Sequence, residues 1–202
     1  MRIRDMGEAD CEAVAELRVL GWRSAYAGLM PGSYLDALSV EEGVAWQRER
    51  LATGLPGTVD LVAVRAGQVV GWGCAGPARD DDLPPGEAEL YALYAHPEQY
   101  STGVGRALML ECVARCAAAG HAEMRLWVLE GNTRARRFYE RAGFAPDGAR
   151  DPQEVEGVPV PEIRYSRGLV RPRPALAGPL TPAVVPAPPM PRRRGGGGHG
   201  RT

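Results

Sequence analysis

The chain has 202 residues, 45% hydrophobic and 24% charged, with a formal net charge of −1, which is the balance of a globular domain with room for a core. No run of about 18 apolar residues occurs, which excludes a membrane-spanning helix, and MRIRDMGEADCEAV puts charges where a signal peptide needs apolar residues, so a cytoplasmic location is expected. All 24 basic residues are arginine, which excludes chemistry that needs a phosphate-gripping, Schiff-base or kinase-type lysine.

Residues 2–6 (RIRDM) read as a short strand and residues 8–28 as helix, with Val14, Leu17 and Trp22 on the face to be buried. SVEEGVAWQRERL opens with Ser39 and has Glu42 three residues on, a capping box that predicts a helix start. VDLVAVRAG and QVVGWGCAG, with a turn at Ala66–Gly67, predict an antiparallel hairpin, and AELYALYAH a third strand. Residues 105–119 read as a helix stopped by Gly120, MRLWVLE as a strand, and NTRARRFYERAGF as a helix opened by Asn132 and closed by Gly143. Strands near 144–147 and 163–169 complete the body. The order predicts an α/β (α+β) fold with a mixed sheet and helices on its faces.

From Arg171 the composition changes. Eight prolines, six glycines and six arginines occur there without an acid, so residues 171–202 are expected to be a disordered basic tail on a single domain of residues 1–170. The domain then carries −7 and the tail +6. Nucleic acid is not an expected partner of the domain; only the tail has the charge for it. Cys11 and Cys74 are isolated, and Cys112 and Cys116 lack a second pair of ligands, so buried thiols and no metal are expected.

HPEQYSTGVGRALM, from His96 to Met109, leads from a strand into a helix through small residues. Such a helix mouth offers unpaired N–H groups and the positive end of a dipole, which favour an anion. Gly103 and Gly105 fit a dinucleotide fingerprint, but its third glycine is Leu108, and a Walker loop lacks its lysine. The pyrophosphate loop of an acyl-CoA-dependent transferase remains, as does a merely tight turn. No serine or cysteine stands in a nucleophile setting, so His96 reads as a loop histidine.

ELYALYAHPEQYSTGVGRALM, followed by LWVLEGNTRARRFYERAGF, closely resembles the two adjacent core motifs of the GNAT family of N-acetyltransferases, and PEIRYSRGL resembles the last strand of such proteins. The resemblance implies a mostly antiparallel central sheet, splayed between the strands at 88–95 and 124–130, with acetyl-CoA as cosubstrate. It places the pantetheine arm against the backbone of Leu93, Tyr94 and Ala95, and the pyrophosphate against Ser101, Thr102, Gly103, Val104, Gly105 and Arg106, with Asn132 as a further contact. Two positions depart from the pattern: Tyr100 stands where the family usually has Gln or Arg, and Ser101 where it usually has glycine, while Gln99 is one place early.

The resemblance also assigns the proton donor to Tyr139. A tyrosine with a pKa of about 10 keeps its proton at neutral pH and can offer it to a departing thiolate. The family's strand glutamate corresponds here to Trp127, so the base is expected to be Glu89, which alternation along the strand puts on one face with Tyr91 and Leu93; Glu130 is a weaker candidate. Trp22, Tyr26 and Tyr91 are the expected acceptor contacts, in a region that also holds Tyr34. Aromatic walls and an acidic body suit a cationic amine, either a small molecule or a peptide amino terminus. The alternative is an acyl-CoA-binding module without catalysis. Similar proteins often dimerise, and a homodimer is carried as an expectation.

Overall fold

The computed structural model describes residues 1–169; the tail expected from Arg171 lies outside the described residues. Strand β1 (Arg2–Asp5) leads through a 3-10 turn (Glu8–Asp10) into α1 (Cys11–Ala25), so the helix expected from residue 8 is shorter at both ends. Next come α2 (Gly32–Asp36), α3 (Val40–Thr53) and the strands β2 (Val59–Arg65), β3 (Gln68–Pro77) and β4 (Ala88–Ala95). Helix α4 (Val104–Ala118), β5 (Glu123–Leu129), α5 (Thr133–Arg141), β6 (Ala145–Asp151), a small hairpin β7 (Glu154–Val155) and β8 (Val158–Pro159), and β9 (Glu162–Gly168) follow. The seven-stranded sheet has the order β1-β2-β3-β4-β5-β9-β6, antiparallel except between β4 and β5.

Local chemistry sets the helix ends. Ser39 Oγ accepts from the Glu42 N–H at 3.2 Å as the capping signal required, but the other half of the box is replaced: the Ser39 hydroxyl donates to Glu41 at 2.9 Å. Asn132 caps α5 by accepting from the Ala135 N–H at 3.0 Å.

Two cores cover the two faces of the sheet. On one face α4 and α5 pack on Leu61, Leu90, Met124, Leu126, Val128 and Tyr165. On the other, α1 brings Cys11, Val14 and Leu17 onto Val62, Trp72 and Cys74. Helix α4 lies close because β3 offers no side chain beneath it: a Cβ on Gly71 would stand 2.6 Å from Val104 and 2.9 Å from Leu108, and one on Gly73 would stand 3.3 Å from the Cys112 sulfur. All four cysteines are buried thiols, and no metal-binding cluster of His, Cys, Asp or Glu occurs among the described residues. No described helix is long and apolar enough to cross a membrane.

On the second half of the sheet, the α1-side face carries charge. The β3–β4 loop lies over it: Asp80 accepts from Trp127 Nε1 at 2.9 Å, and Arg164 binds Asp80, Asp82 and Asp147 at 2.7–3.1 Å. Arg125 holds Glu87 at 2.6 Å. These pairs satisfy charges that the strands could not otherwise bury.

Candidate active site

Strand β4 decides the geometry. Cys74 of β3 pairs with Ala92 and the next residue, Ala75, pairs with Leu90, so Tyr91 is an extra residue: a β-bulge. A bulge bends its strand, and β4 parts from β5 at this place. The two pair only at Ala88–Met124 and Glu89–Arg125; beyond Glu89 no ladder joins them. The β5-facing edge of Leu93, Tyr94 and Ala95 is therefore open inside the sheet, and its main-chain groups are available to a strand-like molecule.

The bulge also corrects the expected alternation. Glu89 and Tyr91 share the α1-side face, but Leu93 packs with the α4-side core, 3.4 Å from where a Gly73 Cβ would be. One inserted residue flips everything after it. Tyr94 thus faces α1, stacks on Trp72 with ring centroids 5.9 Å apart, and accepts from Trp22 Nε1 at 2.7 Å.

At the open end of the gap stands the loop read from the sequence. Pro97–Gln99 form a 3-10 turn, Ser101 adopts a left-handed φ of 62°, and Gly103, at φ 91°, precedes the first turn of α4. No side chain caps this helix, and Ser101, Thr102, Gly103 and Arg106 are exposed while Val104 is buried as an anchor. Gly105 lies under Phe138 of α5, where a Cβ would meet the ring at 3.6 Å. Arg65 of β2 holds the loop from its other side, through Gln99 Oε1 at 2.5 Å and Thr102 Oγ1 at 3.3 Å. The open β4 edge, the uncapped helix mouth and the exposed loop fit an extended molecule ending in phosphates.

Tyr139 projects from α5 between Phe138 and Phe144, with centroids at 5.3 and 6.0 Å. Burial, and then the neighbouring phenol of Tyr94, push its pKa well above the usual tyrosine value. Burial and the phenols of Tyr94 and Tyr139 do the same to Tyr26. Trp22, Tyr26, Tyr94 and Tyr139 thus come together from α1, β4 and α5. Asn132 lies at the head of the same helix, its carbonyl oxygen used by the cap.

Glu89 and Tyr91 sit apart from this cluster. Glu89 is at the closed end of the gap, 3% exposed, and its carboxylate is held by Arg79: Nη2 at 2.5 Å, Nε at 3.0 Å and the main-chain N–H at 3.2 Å. The Tyr91 hydroxyl donates to the Pro77 carbonyl, under the Arg79 guanidinium. Glu130 is paired with Arg150 at 2.7 Å.

Beside the tyrosines opens a cleft of about 260 Å³. Trp22, Met30 and Tyr34 form one wall; Leu129, Gln153, Val155, Val160 and Glu162 form the other. A 2.5 Å hydrogen bond from Ser33 to Glu156 joins the two walls. Glu162 also raises the pKa of Tyr26 and Tyr94, so its charge acts on the phenols. Glu162, the first residue of β9, meets its cleft neighbours from the far end of the chain, so no local signal in the sequence places it there.

A sheet that opens beside a helix mouth leaves room for an extended molecule with phosphates at one end. Residues 21–144 match the family described as Acetyltransferase (GNAT) family, and the chain belongs to it; membership makes it an acyltransferase with acetyl-CoA as cosubstrate. The chain is similar to uncharacterized N-acetyltransferase YuaI of Bacillus subtilis, at 29% identity over 162 residues, covering 80% of this chain and 89% of that one. Its fold is similar to that of the PaiA N-acetyltransferase of Thermoplasma acidophilum, solved in complex with coenzyme A: TM-score 0.64, 22% identity, 83% and 98% of the two chains. It is also similar to that of a ribosomal-protein-alanine N-acetyltransferase of Brucella melitensis: TM-score 0.66, 23% identity, 84% and 100% of the two chains.

Proposed function

We propose that the protein transfers the acetyl group of acetyl-CoA to the primary amine of a small cationic acceptor, or of a peptide amino terminus presenting only its first residues, seated in the cleft beside Tyr139. The observation that carries this reading is the loss of β4–β5 pairing after Glu89, which opens a slot between the loop at 101–106 and the tyrosine cluster. The thioester supplies an acetyl carbon activated toward an amine.

The chain's residues divide the remaining work. The main chain of Leu93, Tyr94 and Ala95 aligns the pantetheine arm as a neighbouring strand would, and the N–H groups at Ser101–Arg106 seat the diphosphate. Trp22 and Tyr34 wall the acceptor, which suits a cation against ring faces. A cleft of about 260 Å³ is below the roughly 300–1,000 Å³ that larger ligands occupy, which supports a compact acceptor.

An ammonium must lose a proton before it can attack. Glu89 lies with Arg79 at the closed end of the gap, away from the cleft. Glu162 lines the cleft and its charge acts on the phenols of Tyr26 and Tyr94, so Glu162 takes this part, directly or through water. Tyr139 keeps its proton and directs it at the sulfur. Even at reference values, full transfer from a phenol to a thiolate is uphill by about 2 kcal/mol, and the raised pKa adds to that. Tyr139 therefore acts chiefly as a hydrogen-bond donor to the charge that develops on sulfur, and the proton released by the amine completes the balance.

Free-thiol release from acetyl-CoA across a panel of amines tests the reading. Amine-dependent release that favours compact cations supports it. Cofactor binding without amine-dependent release would overturn it.

A further inference from the structure

The loop departs from the pattern of its family at Tyr100, where Gln or Arg usually supplies a polar side chain to the phosphates. Gln99, one place early, is tied through its amide oxygen to Arg65 of β2 at 2.5 Å. The cation nearest the departing position comes from another element: the guanidinium carbon of Arg134, in the first turn of α5, stands 3.7 Å from the centroid of the Tyr100 ring. Arg134 is exposed, and the Tyr100 ring is its sole partner among the described residues.

This contact has a chemical direction. A guanidinium laid on a ring uses its flat face for the stack and keeps its N–H donors, which lie in its plane, for another partner. Those donors match the paired oxygens of a phosphate. The stack also restricts a long side chain beforehand, so less freedom is lost when an anion arrives. The cation is thus pre-positioned next to residues 101–106, with no carboxylate partner among the described residues.

We propose that Arg134, held on the face of Tyr100, grips a phosphate of the coenzyme A nucleotide in place of the side chain that the family's loop carries at position 100. The inference rests on the reading that residues 101–106 seat the diphosphate. Tyr100 is then a positioning residue: it acts through Arg134.

Titration calorimetry of the full chain with coenzyme A, dephospho-coenzyme A and pantetheine tests this, with thermal melts confirming that each variant is folded. Arg134→Ala should weaken coenzyme A about 10-fold or more, the effect of losing a charge-assisted contact, and leave pantetheine unchanged. A loss shared by dephospho-coenzyme A assigns Arg134 to the diphosphate; a loss confined to coenzyme A assigns it to the 3′-phosphate. Tyr100→Leu should reproduce most of the loss, and the double variant should be little worse than Arg134→Ala. Coenzyme A affinity within about twofold of the parent in Arg134→Ala, or equal losses for coenzyme A and pantetheine, would overturn the proposal. A parent protein that binds coenzyme A no better than pantetheine would instead refute the loop reading beneath it.

Discussion

The indole N–H of Trp22 donates to the Tyr94 hydroxyl at 2.7 Å, tying helix α1 to the strand that turns away from β5. Around this bond the phenols of Tyr26, Tyr94 and Tyr139 share one buried region, and with Tyr91 all four have pKa values raised chiefly by burial. A raised folded-state value favours the protonated, folded chain. The associated stability is fully present below pH of about 10, and is lost as pH climbs from there through the folded values. In an alkaline titration these tyrosines should ionise late, and together with the loss of circular dichroism. Complete tyrosinate formation near pH 10 in a still-folded protein would contradict the burial argument.

Tyr139→Phe removes one oxygen from a side chain already packed between two phenylalanines. We expect kcat to fall by about 10²- to 10³-fold, with coenzyme A affinity and the melting temperature close to the parent. Single-turnover thiol release together with calorimetry separates these quantities. A variant that keeps its rate would remove Tyr139 from the chemistry.

Glu162→Gln keeps the shape of the cleft wall and removes its charge. For a cationic amine, kcat/KM should drop by about 10²-fold, with the melting temperature close to the parent. The same change at Glu89 should instead lower stability, because Arg79 would lose its partner. Steady-state rates and thermal melts of the two variants decide between the carboxylates.

Ser101 holds a left-handed φ of 62°, where a side chain is strained. Ser101→Gly should relieve that strain at the cost of a looser unfolded chain, a net gain of about 0.5–1 kcal/mol. A rise of about 2–4 °C in melting temperature corresponds to the upper figure. A lower melting point would show that the serine side chain holds the loop more strongly than its backbone resists.

Gly71→Ala drives a methyl into Val104 and Leu108, so α4 must lift from the sheet. The expected loss is about 1–3 kcal/mol, accompanied by weaker coenzyme A binding, because Val104 begins the helix mouth. Gly32→Ala is the control: nothing lies within 4 Å of its Cβ, and stability should change little. Denaturant unfolding of both variants measures the difference.

Much of this architecture was legible because its signals are local. Asn132, Gly143, Ser39 and Gly120 mark helix ends through caps and left-handed turns that a few residues define. The loop at 101–106 was legible for the same reason. What escaped depends on partners far along the chain. ELYALY contains no glycine or proline to announce a bulge, so the face of Leu93 was misassigned. The pairing of Glu89 with Arg79 depends on where the β3–β4 loop folds back. Arg134 meets Tyr100, and Glu162 faces Trp22, only after the sheet has assembled. One clue was present: Gly71 and Gly73 of VVGWGCAG stand two residues apart on one face of β3, and they leave the groove that receives α4.

Two rungs are the whole main-chain ladder between the β1–β4 half of the sheet and the half made of β5, β9 and β6. Beyond them the halves are joined by side chains, Arg125 to Glu87, Trp127 to Asp80 and Arg164 to Asp80 and Asp82. The ladder is therefore thinnest along one line, and slow breathing of the sheet should concentrate there. Whatever occupies that line laces the halves together, so amide hydrogens along β5 and β9 should exchange more slowly once it is filled.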